Sequence, residues 1–360
     1  MSERETNKKE LNNQIQAAIL EIAKDPKNPE HYHALANLYG VDSRFDNMIA
    51  TYEGLLSVNP KDVYALINLG SLWYTRKDYR KSFFYYNQAE ELDPLNYAVY
   101  FNKGNVYAEL NNYSLAIFNY NKALDLNAPA RDLYNAMARL FEDSNNYVEA
   151  EIYYKMVLKI DKNDITANIG LGNIYLNFNK YEDSLSYFQT VVDKYPENKW
   201  VCVYMGKTLA SMDKEEESIK YYEKALTLNG ANYELYLSYA IAQTKFKNYE
   251  KAIELYEKAI AEDPKRSNAY ILSGNLYYDL GKYDLANEQY EKAIKLDYRD
   301  GVAHLSQGNT YYIKGDIDNA LVAYRTAIRV AQDNDEYKLI YLHVLDEYVN
   351  QKEKSSGNGK

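Results

Sequence analysis

The chain has 360 residues, 46% of them hydrophobic, with a formal net charge of −10 and a single cysteine. An acidic balance of this size argues against general nucleic-acid binding, which needs clustered Lys and Arg against the phosphates, and one thiol excludes an internal disulfide framework. No run is apolar and long enough to span a bilayer, and Met1-Ser2-Glu3-Arg4-Glu5-Thr6 lacks the apolar stretch of a secretory signal, so a cytoplasmic protein without a membrane partner is expected.

In chain order, residues 1–8 are polar and read as a disordered N-terminus. Leu11, Ile15, Ala18, Ile19 and Ile22 then follow helical spacing and predict a capping helix within 9–28. From Pro29 a 34-residue pattern recurs nine times without insertion, as 29–62, 63–96, 97–130, 131–164, 165–198, 199–232, 233–266, 267–300 and 301–334. Such a period marks a stacked array in which each unit's apolar face stays open until a neighbour covers it.

Places are counted here from the first residue of each unit. Place 8 holds Ala36, Gly70, Gly104, Ala138, Gly172, Gly206, Ala240, Gly274 and Gly308, while place 24 holds Tyr52, Tyr86, Tyr120, Tyr154, Phe188, Tyr222, Tyr256, Tyr290 and Tyr324. A small residue on one helix and a large ring on the next predict two antiparallel helices in close contact per unit. Place 15 carries Asn111, Asn145, Asn179, Gly281 and Gly315, residue types that tolerate a left-handed backbone after a helix end. Unit ends carry Pro60, Pro94, Pro196 and Pro264, with Asp93, Asp161, Asp263 and Asp297 nearby as helix caps. Beyond the array, Tyr337, Tyr341, Val344, Leu345 and Tyr348 predict a second capping helix over 335–351, followed by a polar, disordered 352–360.

These residues resemble the tetratricopeptide repeat family, whose signature is a large residue, Leu-Gly, a Tyr, two Ala, an aromatic and a closing Pro. The unit 267–300, which reads Ala269-Tyr270-Ile271-Leu272-Ser273-Gly274 and then Tyr283, Ala286, Tyr290 and Ala293, matches it most closely. The resemblance implies an all-α fold, an α-solenoid of helix-turn-helix repeats forming a right-handed superhelix, with a concave groove lined by the first helix of each repeat. It carries little about function, because the signature residues are those that hold helices together.

Catalysis has poor candidates. Of four histidines, His31 and His33 are two apart on a helix and point to different sides, His304 falls at a packing place, and His343 lies on the final cap. No phosphate-cradling glycine loop, HExxH, paired CxxC or GxSxG occurs. No catalytic, cofactor or metal site is therefore expected, and Cys202, at a helix-packing place, reads as an inert buried thiol.

The informative positions are those of the first helices not committed to packing, places 2, 5, 6, 9, 12 and 13. Place 9 gives Asn37, Ser71, Asn105, Arg139, Asn173, Lys207, Ile241, Asn275 and Asn309, and Asn68 and Asn102 extend this polar row from place 6. Asparagine donates and accepts at once, so such a ladder can hold a peptide backbone, a use the family makes in the superhelical domain of a protein sugar transferase. Asparagine at both places is also common in average members, so the ladder has a second explanation in family consensus. Arg139 and Lys207, with Asp132, Glu142 and Asp143, make the middle of the groove mixed in sign. Phe101, Trp200 and Tyr204, with Tyr64, Tyr74, Tyr278 and Tyr312, supply aromatics, and Trp200 and Tyr204 either anchor a partner or pack sideways on a neighbouring helix.

Some family members grip a C-terminal carboxylate with Lys, Asn, Asn, Lys and Arg. Here Asn37 and Asn68 match, but His33, Ala98 and Asn102 stand where the cations belong, which argues against that ligand. Repeats six and seven depart from the pattern at Leu209, Glu215, Gln243 and Gly230, and a softer joint is expected there. The leading expectation is a non-catalytic scaffold whose partner is a protein or peptide ligand. The alternatives are a homo-oligomer formed through Tyr85, Tyr153, Tyr187 and Tyr221 on the second helices, or a targeting subunit of a separate enzyme.

Overall fold

The computed structural model describes residues 3–228, 230–331 and 334–357, and these form twenty helices and no strand. A leading helix, α1 (Glu3–Lys24), precedes the pairs α2 (Pro29–Val41) with α3 (Phe45–Val58), α4 (Val63–Thr75) with α5 (Tyr79–Leu92), α6 (Tyr97–Glu109) with α7 (Tyr113–Asp125) and α8 (Ala130–Asp143) with α9 (Tyr147–Ile160). The series continues as α10 (Ile165–Asn177) and α11 (Tyr181–Lys194), α12 (Lys199–Ser211) and α13 (Glu215–Thr227), α14 (Tyr233–Lys245) and α15 (Tyr249–Glu262), α16 (Ser267–Asp279) and α17 (Tyr283–Leu296), then α18 (Gly301–Ile313) and α19 (Ile317–Val330), closed by α20 (Asp335–Gly357). The chain forms two compact units that divide within α10, one up to Gly170 and one from Leu171. Inside each unit the two helices of a pair pack on each other and consecutive first helices also touch, as α4, α6 and α8 do in one unit and α12, α14, α16 and α18 in the other. This is the all-α solenoid arrangement of helix pairs.

The pairs are closed by size complementarity. A Cβ added to Gly104 would stand 2.5 Å from Cε1 of Tyr120, and one added to Gly274 or Gly308 would stand 2.6 Å from the ring of Tyr290 or Tyr324. Carbon atoms in contact sit about 3.5–4.0 Å apart, so glycine lets the ring lie directly against the helix backbone. The rings so held, Tyr86, Tyr120, Phe188, Tyr222, Tyr290 and Tyr324, are buried with the flanking alanines, as are Tyr154 and Tyr256, whose units carry Ala138 and Ala240 at the same place.

Every place 15 has a left-handed backbone. It is adopted not only by Asn111, Asn145, Asn179, Gly281 and Gly315 but also by Ser43, Lys77, Asp213 and Lys247, with φ between 52° and 63° at the last four. The tight turn between paired helices therefore imposes this conformation even where the residue disfavours it. The expected caps are displaced. Asp93, Asp161, Asp263 and Asp297 end second helices, and the first helices are capped instead by Asn28, Asp62, Asn96, Asn198, Asn232 and Asp300, whose side chains accept backbone N–H groups of the first turn.

Both terminal helices outrun their expected limits, α1 beginning at Glu3 and α20 ending at Gly357. No Pro or Gly interrupts residues 1–24 or 335–356, so each helix propagates beyond its apolar stripe. Residues 1–2 and 358–360, parts of the expected disordered ends, lie outside the described residues. At the expected softer joint the helices remain packed. Gln243 is buried but accepts a hydrogen bond from Asn248 Nδ2 at 2.7 Å, and Tyr222, Tyr239, Leu235, Tyr256 and their neighbours share one apolar cluster across α12–α15.

Candidate partner-binding face

Polar residues of the first helices line open pockets in both units. In the unit ending at Gly170, Asn37 is exposed, Asn68 donates to the Tyr64 carbonyl at 2.8 Å, and half-buried Phe101 and Asn102 line a pocket of about 270 Å³ with Tyr97, Ala128, Pro129 and Asp132. A second pocket of about 230 Å³ is bounded by Tyr74, Asn105, Glu109, Tyr120, Arg139 and Asp143. Glu109 accepts from the hydroxyls of Tyr74 at 3.4 Å and Tyr79 at 3.5 Å. Burial and this carboxylate push the Tyr74 hydroxyl up to about 12, so it stays a donor. Arg139 is exposed and has no ion pair among the described residues.

The ninth-place asparagines are partly engaged by their own repeat. Tyr120 donates to Asn105 Oδ1 at 2.8 Å, Tyr290 to Asn275 Oδ1 at 2.8 Å, and Tyr324 to Asn309 Oδ1 at 2.9 Å. With the oxygen occupied, each amide offers mainly its N–H₂ donors to a ligand, so the ladder can read carbonyl oxygens rather than N–H groups. Asn275 and Asn309 share a pocket of about 240 Å³ with Tyr278, Asp279 and Ser306. Asn173, in the repeat whose place 24 is Phe188, lacks this bond.

In the second unit, Tyr204 lies parallel to Phe188 with centroids 5.5 Å apart, so much of its ring is committed to packing. Trp200 remains 39% exposed and lines a pocket of about 470 Å³ with Val203, Tyr204, Lys207, Glu234 and Ser238. Of the other aromatics, Tyr64 is exposed edge-on to His33, Tyr278 meets Tyr283, and Tyr312 donates to Glu347 of α20 at 2.5 Å.

The residues suspected of chemistry are occupied elsewhere. His31 Nδ1 lies 3.1 Å from the Glu21 carbonyl of α1 while His33 Nε2 lies 3.6 Å from Asp62 Oδ2 beside α4, so the two face different neighbours. His304 is buried, 3.0 Å from the Tyr298 carbonyl. Cys202 is fully buried, and burial pushes its thiol up, away from thiolate reactivity. Among the described residues no three His, Cys, Asp or Glu side chains are grouped to hold a metal, and no helix is long and apolar enough to cross a membrane.

The outer face differs from its expected form. Tyr153 stacks on Phe141 and Tyr187 on Tyr175, both with centroids 5.5 Å apart, and Tyr85 donates to Glu53 at 3.5 Å, so these tyrosines bridge helices. Among the exposed apolar side chains of the second helices, Phe84, Phe118 and Ile152 share place 22 on α5, α7 and α9. A size-and-spacing comparison of the nine units could have found this stripe, since place 22 is apolar in these three units and polar in the next four.

Family models described as tetratricopeptide repeat match residues 97–128, 167–198, 209–276 and 271–336. The chain belongs to the tetratricopeptide repeat family. Among solved structures, it is similar to a tetratricopeptide repeat protein from Parabacteroides merdae, at 17% identity and a TM-score of 0.57 over 69% of this chain and 98% of that one. It is also similar to yeast Tom70, at 14% identity and 0.57 over 96% and 94%, and to the APC/C hetero-tetramer Cut9-Hcn1, at 15% identity and 0.55 over 88% and 64%. At these identities the likeness concerns the fold. No curated protein sequence matches the chain.

Proposed function

We propose that the chain is a non-catalytic scaffold that binds an extended segment or a helix of another protein on its first-helix faces. The observation that carries this reading is the set of open pockets bounded by first-helix residues, in which Asn105, Arg139, Asn275, Asn309, Trp200 and Lys207 present donors, cations and an aromatic surface. Amides whose oxygens are already held by tyrosine suit a partner's backbone carbonyls, and a half-exposed Trp covered by a partner contributes on the order of 2 kcal/mol. Cut9, whose fold is similar, was crystallised in a hetero-tetramer with Hcn1, a partnership of the kind this reading assigns. Asn37, Asn68, Phe101, Asn102, Asn173 and Tyr204 complete the proposed contact set.

The test is affinity capture with the intact chain and with Arg139→Ala, Asn173→Ala, Trp200→Ala combined, positions that give up no hydrogen bond of the fold. Partners retained by the wild type and lost from the variant support the reading, and an unchanged set places binding elsewhere. A second reading, self-association through the outer face, is favoured by the exposed row of Phe84, Phe118 and Ile152. Concentration-dependent mass that disappears in Phe84→Ser, Phe118→Ser would select it.

A further inference from the structure

Six of the eight place-24 tyrosines satisfy their hydroxyl within their own helix pair. Tyr120, Tyr290 and Tyr324 use the ninth-place Asn, Tyr86 uses Ser71, Tyr154 uses Glu142 and Tyr256 uses Thr244. Tyr222 is different. Its ninth-place neighbour is Lys207, which has donors only, and its hydroxyl has no hydrogen-bond partner among the described residues. The ring is 1% exposed and stacked on Tyr239, with centroids 4.9 Å apart, so the hydroxyl cannot swing away to find one. Tyr52 shares the lack of an acceptor, but its surroundings are Asp62 and Tyr64 rather than a cation.

Tyr222 forms part of the wall of a pocket of about 210 Å³ whose other sides include Lys207, Ala210, Ile241, Ala242 and Lys245. Burial of the ring holds the phenol neutral, and its hydroxyl has no acceptor from the described residues at the pocket wall. The charges around it are unequal. Lys245 is held by Asp213 and by the carbonyls of Ala210 and Ser211, Lys199 by the Gly230 carbonyl, and Glu234 by Arg266 at 2.5 Å, whereas Lys207 is exposed and in no ion pair among the described residues. One cation and one phenol therefore await an anion, in a protein whose net charge is −10. Lys207 and Ser238 also border the larger pocket of Trp200, Val203 and Tyr204, so the two form a continuous site along α12 and α14.

We infer that this double pocket takes an internal segment of a partner protein in which Asp or Glu adjoins a large apolar residue, the carboxylate lying between the Tyr222 hydroxyl and the Lys207 ammonium and the apolar side chain against Trp200 and Val203. The inference rests on the reading that first-helix faces bind protein segments, and it names the chemistry recognised in one place. A carboxylate satisfies both unmatched donors at once, which a neutral amide does less well and a cation not at all. The site differs from the carboxylate grip known in some family members, since its cation is at place 9 and its phenol at place 24.

The experiment uses a synthetic positional-scanning library of decapeptides, acetylated and amidated, with a parallel free-acid set, offered to the intact chain. The wild type is expected to enrich Asp and Glu beside Leu, Phe, Tyr or Trp. Tyr222→Phe, which deletes the donor alone, and Lys207→Asn, which gives Tyr222 the acceptor its counterparts have, each cut the acidic enrichment about tenfold and leave the apolar one in place. In a Trp73→Phe background, where Trp200 is the sole indole, peptides from the selected pool shift its emission. Selection of peptides without an acidic preference, or with one that both variants keep, overturns the inference and spares the proposed function. An acidic preference confined to free C-termini overturns the side-chain assignment. A wild type that selects no sequence overturns the proposed function itself.

Discussion

Replacing Gly104 by Ala asks two terms of opposite sign to compete at one position. Alanine in mid-helix gains up to about 1 kcal/mol over glycine, so propensity alone makes Gly104→Ala stabilising. The new Cβ, however, falls 2.5 Å from Cε1 and 2.6 Å from Cδ1 of Tyr120, about 1 Å inside the roughly 3.5 Å of carbon contact. The ring cannot retreat, because it is 2% exposed and its hydroxyl is tied to Asn105. Overpacking of this kind costs about 1–3 kcal/mol, which after the propensity gain leaves a net loss of about 0–2 kcal/mol. At Gly206 the corresponding distance is 2.9 Å, and the Tyr222 hydroxyl is untethered, so the clash roughly cancels the propensity gain and Gly206→Ala stays within about 0.5 kcal/mol of wild type. Guanidinium denaturation followed by circular dichroism gives the ranking, and hydrogen exchange on α6–α7 and α12–α13 localises it, which matters in an array whose repeats need not unfold together. A stabilised Gly104→Ala, or one no worse than Gly206→Ala, would refute the close approach of ring and backbone as the principle closing each pair.

Lys77→Gly and Lys247→Gly relieve a left-handed backbone and should each raise stability by about 0.5–1 kcal/mol in thermal melts, whereas Gly281→Lys should lower it by a similar amount although nothing lies within 4 Å of its would-be Cβ. Tyr290→Phe removes a hydroxyl bonded to Asn275 and should cost about 1 kcal/mol, while Tyr222→Phe, which breaks no bond, should be nearly neutral; equal losses would show that Tyr222 has an acceptor after all. Phe188→Tyr should add up to about 1 kcal/mol by supplying Asn173 with the hydroxyl that Asn105, Asn275 and Asn309 receive, and a destabilised variant would mean that the new hydroxyl is buried without a partner. Burial raises the carboxyl of Glu142 above its ordinary 4.5, so its charged form is the costly one in the folded chain. That cost is absent below the unfolded-state value and grows as pH rises through the folded-state value. Glu142→Gln, which still accepts from Tyr154, should therefore be more stable than wild type at pH 7, with the difference closing as pH falls toward 4.5; a gap that widens on acidification would reverse the assignment.

The fold was legible because packing set the pattern. Gly104 and Tyr120 are sixteen residues apart in every unit's equivalent, and only two helices in contact make small and large residues alternate at that distance. The left-handed turn was legible at Asn111 or Gly281, whose own preferences point to it, and illegible at Lys77 and Lys247, where the docked helices on either side override a residue that disfavours the conformation. Capping was misplaced for a related reason. Asp93 and Asp297 look like helix starters by type, but the loop geometry gives that role to Asn96 and Asp300, three residues on.

At the proposed binding face the sequence names the residues but not their orientation. Asn105 and Asn173 occupy the same place and look interchangeable, yet one has its oxygen held by Tyr120 while the other faces a phenyl ring, so they offer different groups to a partner. The pairing of place 9 with place 24, fifteen residues on, is the signal that separates them, and it can be read without coordinates once the two places are known to meet. Lys207 gains its meaning the same way. Alone it is an exposed lysine, but at the ninth place opposite Tyr222 it leaves the phenol without the acceptor its counterparts have, and that mismatch makes repeats six and seven distinctive where missing aromatics first suggested weakness. A position where a repeat breaks its own pattern without losing its packing is a position free to carry specificity, and here the break replaces an internal hydrogen bond by an exposed lysine and an unpaired phenol on one pocket wall.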